Sequence, residues 1–206
     1  MIKESKHKVF ISYHHKNDQF YKEELLHLNE IYDIFINGSV NTGDIDDSLS
    51  NQTIRNTIRD HYLGDSTVTI LLVGTETKNR KHVDWEIKSS MINGRINKKS
   101  GILVINLPTT KCTYYTAAHK DEKQVIYPGN DYWISINRKA EYERRYPYLP
   151  ARIINNLMKP EAKISVVNWD KIVSDIYKLR FLIHATFLEK SSCEYDLSIP
   201  MRRNNS

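Results

Sequence analysis

Apolar residues along the first half of the chain fall into short blocks separated by stretches of helical spacing. Val9–Tyr13 ("VFISY") is a β-rich run, and from about Asn17 to Leu28 the residues Phe20, Leu25 and Leu28 recur at helical intervals. Tyr32–Ile36 predicts a second strand. A long polar loop follows, marked by Asn37-Gly38 and Thr42-Gly43-Asp44, before Thr53, Ile54, Thr57, Ile58 and His61 restore helical spacing. Ser66–Gly74 is almost continuously apolar, as a central parallel strand buried on both faces should be. A helix is predicted from about His82, a fourth strand at Gly101–Asn106, and a fifth at Ala162–Asp170 leading into a helix over Lys171–Phe187. Leu107–Pro160 breaks the alternation with tyrosines and interleaved Arg and Glu. It reads as an insertion packed on the sheet edge, a lid or trigger surface whose removal should spare the strand-helix core.

Alternating strands and helices predict an α/β fold with a five-stranded parallel sheet and helices on both faces. The expected unit is one domain over residues 7–190, including the insertion at about 107–160, with residues 1–6 and 191–206 as terminal extensions. A length of 206 residues with 40% hydrophobic content suits one full-sized core. The net charge of +5 changes this little, because the only basic blocks, at 78–81, 98–99 and 202–203, are short and read as solvated faces. Nucleic acid is therefore not a favoured partner. The opening MIKESKHK lacks the apolar run of a signal peptide and no stretch approaches a membrane span, so a cytoplasmic protein with no membrane partner is expected. Cys112 and Cys193 have no CxxC spacing and suggest neither a disulfide framework nor zinc. His14, His15 and His27 lack ligand spacing, so no metal is expected. The chain has no GxxxxGK[ST] or GxGxxG motif, which disfavours an ordinary NTPase or Rossmann dehydrogenase.

In a flavodoxin-like three-layer order of 2-1-3-4-5, ligands bind at the carboxyl ends of the strands where the order reverses, between strands one and three. The loops after Tyr13 and Val73 would line that crevice, and Glu86 lies just beyond the second. On its helix Val83, Ile87 and Met91 form the buried stripe, and Glu86 falls about 100° from Ile87, on the flank of the stripe. Spacing alone favours a plain role: Asp84 and Glu86 as helix-start carboxylates worth about 0.3–1 kcal/mol each.

Three segments alter that balance. KVFISYHHKND at 8–18, STVTILLVGTET at 66–77 and VDWEIKSS at 83–90 together resemble bacterial TIR domains, in particular the TIR-like (ThsB-type) subunits of Thoeris anti-phage systems. The likeness covers about Lys8–Leu107 and, more weakly, Val166–Phe187. It implies a TIR fold and a hydrolase-type enzyme that cleaves the nicotinamide glycosidic bond of NAD, with Glu86 as the catalytic glutamate. NAD would be the substrate and no resident cofactor is needed. The product would be an ADP-ribose-derived nucleotide second messenger, a cyclic ADP-ribose isomer or related conjugate. An effector protein would read it, after a phage-derived trigger, and self-association is expected. Ser12, Tyr13 and His14 would line the substrate site, each with a plain strand-end reading beside it. Asn41 and Asp44, with Asp46, correspond by position to the family's BB loop, and a polar turn explains them equally. Trp85, at about 160° from Ile87, reads as a pocket wall or as a surface aromatic used in assembly. Many relatives carry Trp four residues before the glutamate, where this chain has His82. A non-catalytic interaction module and a nucleotide-binding domain without turnover fit the same residues.

Overall fold

The computed structural model describes residues 6–39, 49–94 and 98–205. Five parallel strands, β1 (Lys8–Ser12), β2 (Ile36–Asn37), β3 (Val68–Val73), β4 (Gly101–Asn106) and β5 (Ser165–Asn168), form one sheet in the order β2-β1-β3-β4-β5. This is the expected α/β order, with its reversal between β1 and β3.

The pleat divides each strand between two cores. Val9 and Ile11, Ile70 and Leu72, and Leu103 and Ile105 face one side, under α1 (His15–Tyr32) and α8 (Ile176–Glu189). Leu71, Val73, Ile102 and Val104 face the other, with Val83 and Ile87 of α3 (Lys81–Ser90). A third cluster gathers Phe10, Ile54, Ile58, Trp85 and Met201 around α2 (Asn51–Thr57), which continues as a π-helical turn at Ile58–Tyr62.

Local chemistry sets several boundaries away from the apolar pattern. α1 runs through Tyr32 because Asn29 takes over its end: the Asn29 side-chain oxygen accepts from the backbone N–H groups of Ile34 (2.9 Å) and Phe35 (2.8 Å), and Asp33 turns left-handed at φ 51°. The second strand therefore begins only at Ile36. The single helix expected over 171–187 is two, α7 (Trp169–Val173) and α8, divided where Asp175 caps Tyr177 N–H at 3.2 Å.

The insertion carries α4 (Glu122–Ile126), α5 (Lys139–Arg145) and α6 (Ala151–Leu157). It covers the free edge of β5, where Thr116 pairs antiparallel with Val166. Its reach is deeper than an edge cover: Ile126 and Tyr127 join the first core, and Tyr142, Tyr146, Leu149, Ile153 and Ile154 join the second. The expectation that its removal spares the strand-helix core is therefore corrected. Among the described residues no helix is long and apolar enough to cross a membrane.

Candidate functional site

Two loops leave the carboxyl ends of β1 and β3 side by side, and a buried carboxylate ties them. Asp18, in the first turn of α1, accepts a hydrogen bond from Thr77 Oγ1 at 3.2 Å, and Thr77 Oγ1 accepts from Gly74 N–H at 2.8 Å. A β-carbon on Gly74 would lie 2.3 Å from Asp18 Oδ1, so only glycine lets the loops approach this closely. Burial raises the Asp18 carboxyl above its ordinary value against the lowering bonds from Thr77 and the His14 backbone.

Beside this tie, Ser12 ends β1 on the α3 side, and its hydroxyl donates to Glu86 Oε2 at 2.6 Å. Glu86 keeps 4% of its surface exposed and Ser12 none. Desolvation pushes the Glu86 carboxyl up to about 7, with the Ser12 bond opposing. An unpaired charge in that position is costly, so near neutral pH this group stands close to its titration midpoint.

Tyr13 is half-buried. Its hydroxyl donates to Gln19 Oε1 at 2.6 Å, and burial followed by the Glu86 charge raises its pKa. His14 caps the start of α1, with its backbone oxygen accepting from Asp18 N–H at 2.9 Å. Its ring is buried, its Nδ1 lacks a hydrogen-bond partner, and desolvation, then Arg80, lowers its pKa. It is thus a neutral imidazole at neutral pH with one buried nitrogen that has no hydrogen-bond partner among the described residues.

The structure brings Ser12, Tyr13, His14 and Glu86 to one place and sets Trp85 elsewhere. Trp85 is 1% exposed, packs among Phe10, Ile54 and Met201, and donates from its indole nitrogen to the Arg202 carbonyl at 2.6 Å. Its reading as a surface aromatic is corrected. α3 is covered on two sides, by the sheet and by α2 with the C-terminal tail, and seven of its ten residues are buried. His82 meets Trp85 edge-on at 5.0 Å between ring centroids. Asn41, Asp44 and Asp46 lie outside the described residues.

Asp84 also departs from its helix-start reading. Both its oxygens accept from the buried Arg152 guanidinium, at 2.9 and 3.0 Å, and it accepts from Arg202 N–H at 2.9 Å. Arg152 in turn donates to the Ile199 and Pro200 carbonyls at 2.8 and 3.1 Å. The pair straps the tail across α3 and faces away from Ser12.

Asp18, Thr77 and Arg80 are crevice residues that the sequence did not single out. Arg80 belonged to a basic block read as solvated, and only the fold sets it against His14. Among the described residues, neither the cavity of about 610 Å³ nor that of about 260 Å³ is lined by Ser12 or Glu86. Both side chains are buried in this conformation.

Residues 10–112 match the family described as Thoeris protein ThsB, TIR-like domain. No curated protein matches the chain. The matched span runs from β1 through β4 and contains Ser12, Asp18, Thr77 and Glu86, so it covers the crevice and stops at the start of the insertion.

Proposed function

Because the chain belongs to the Thoeris ThsB TIR-like family, a part of anti-phage defence, we propose that it cleaves NAD at the nicotinamide glycosidic bond with Glu86 as the catalytic carboxylate. The observation that carries this reading is the Glu86 environment: a buried carboxyl with its pKa pushed to about 7, one serine donor, at the sheet's switch point. A carboxylate that only stabilised a helix start would stand in water near its ordinary value. Strongly perturbed groups at crevices are characteristic of reacting ones.

In the reaction, the bond from ribose C1′ to the nicotinamide nitrogen breaks, and both electrons go to the ring, neutralising it. Positive charge grows on C1′ and its ring oxygen, and ionised Glu86 stabilises that charge in a water-poor site. NAD arrives with a cationic nicotinamide ring, which favours the ionised form of Glu86 on binding. Ser12 holds the carboxylate in orientation, and neutral His14, once the site opens, presents its unpartnered Nδ1 to a ribose hydroxyl or the nicotinamide amide. Attack by water at C1′ gives ADP-ribose. Attack by another group of the same nucleotide gives a cyclic isomer, the product class read by a partner effector.

Closure over Glu86 makes the described conformation a resting one, opened by a phage-derived trigger or by assembly of copies. The same closure is the observation that favours a second reading, an interaction module without turnover. Incubating the purified chain with NAD, with and without lysate of phage-infected cells, and resolving products by mass spectrometry separates the two. The catalytic reading expects free nicotinamide with an ADP-ribose-type nucleotide. Intact NAD under every condition, across a wide range of protein concentration, leaves the module.

A further inference from the structure

The larger cavity lies at the opposite edge of the sheet, outside β5, and the insertion builds most of its wall. Three inter-strand steps separate β5 from β1, on which Ser12 meets Glu86, or about 14 Å across the sheet. Its volume of about 610 Å³ falls within the range of small-molecule sites. The charged residues along its described lining are Lys123, Arg145, Lys159 and Lys163, with no Asp or Glu among them.

These cations are not equivalent. Arg145 is engaged, donating to Glu141 at 2.6 Å and lying 5.0 Å over the Tyr114 ring. Lys123 rests 4.6 Å over the Trp133 ring. Lys159 and Lys163, both half-buried, flank the 3-10 turn Pro160–Ala162; neither forms an ion pair within 4 Å among the described residues, although Lys159 lies near enough to Asp196 to help lower that carboxyl. Lys163 adopts φ 51°, a backbone conformation that residues with a β-carbon rarely take. Lys159 and Lys163 beside one turn, with no Asp or Glu lining the same cavity, offer positive charge to an anion bound there.

Tyr114, Tyr115, Tyr132, Trp133 and Tyr142 give the rest of the wall an aromatic part, among aliphatic and small polar residues, and some of these rings are held in place. Trp133 donates from its indole nitrogen to the Asn130 carbonyl at 3.0 Å, and Asn130 Nδ2 donates to the Tyr115 hydroxyl at 2.8 Å. Tyr132 at the rim is 89% exposed, which leaves its ring faces free to stack. Planar rings stack on such faces with little sequence or ring preference.

We propose that this cavity is a second binding site, for a ligand of the nucleotide class: a planar ring stacked on the tyrosine-rich wall and a phosphate held by Lys159 and Lys163. It involves no bond chemistry and is independent of any reaction at Glu86.

Isothermal titration of the full chain with AMP, adenosine and inorganic phosphate tests it. AMP should bind measurably at millimolar concentration or below, and each fragment should bind at least about tenfold more weakly than AMP. Lys159→Gln/Lys163→Gln should weaken AMP about tenfold or more, and added salt should weaken it in the parent. Tyr132→Ala, at an exposed position that leaves the fold undisturbed, should weaken AMP and adenosine but not phosphate. Glu86→Gln should leave AMP binding unchanged. The proposal is overturned by an absence of AMP binding, by phosphate binding as tightly as AMP, or by loss of AMP binding in Glu86→Gln while the lysine pair variant binds like the parent.

Discussion

Glu86→Gln should stabilise the protein above neutral pH. The Glu86 carboxyl moves from 4.5 to about 7 on folding, driven by desolvation. A carboxyl whose folded pKa lies above its unfolded value binds more protons folded than unfolded between the two values. Stability is therefore fully present below about pH 4.5, falls as pH rises toward about 7, and stays low above it. At about 1.4 kcal/mol per unit, the cost of holding Glu86 in the fold above neutrality reaches roughly 3 kcal/mol. Glutamine has the same size, accepts the Ser12 hydrogen bond through its carbonyl and carries no charge to desolvate. For a chain of this length each kcal/mol moves the melting midpoint by about 2–4 °C, so Glu86→Gln should melt roughly 6–12 °C above the parent at about pH 8. The gap should shrink toward zero near pH 4.5. Asp18 and Glu122 are also raised by burial, but both proteins contain them and they cancel in the comparison. Thermal melts followed by circular dichroism across that range give the whole curve. A Gln variant that melts at or below the parent at pH 8, or a gap that ignores pH, would refute the desolvation argument.

Other consequences can be checked in the same preparations. Asp84→Ala leaves the Arg152 guanidinium, 1% exposed, without its carboxylate, and should lower unfolding free energy by about 3–5 kcal/mol in urea titration. Truncation before Ile199 removes two acceptors of Arg152, the Arg202 carbonyl that receives the Trp85 indole N–H, and buried Met201, so the melting midpoint should fall by more than 5 °C or so. Deleting residues 107–160 strips Tyr142, Tyr146 and Ile153 from the second core and should abolish the cooperative melt. If copies assemble through the exposed Phe20, Ile31 and Ile36, specific activity should rise with protein concentration, and Ile36→Lys should flatten that rise.

The order of the sheet was legible because β1, β3 and β4 are strongly apolar blocks spaced by helices. β2 was misplaced because "YDIFI" reads as a strand run, whereas the side-chain amide of Asn29, five residues before Ile34, captures the N–H groups of Ile34 and Phe35. Glu86 could be sited beside the buried stripe from helical geometry, and the family likeness selected it. That Ser12 caps it depends on a contact across 74 positions, which no local pattern carries. Trp85 and Asp84 defeated the helical wheel for one reason: a wheel assumes one covered face, and here the chain's last residues return to cover a second. Arg80 and Asp18 likewise gain their places only when two loops meet.

The most direct test of the central claim is the initial rate of nicotinamide release from NAD by the parent and by Glu86→Gln, with NAD affinity measured on both. The account predicts a loss of roughly two to three orders of magnitude in rate, the scale of removing one transition-state electrostatic contact, in a variant that stays folded and still binds NAD. A Gln variant that releases nicotinamide at the parent's rate would contradict it.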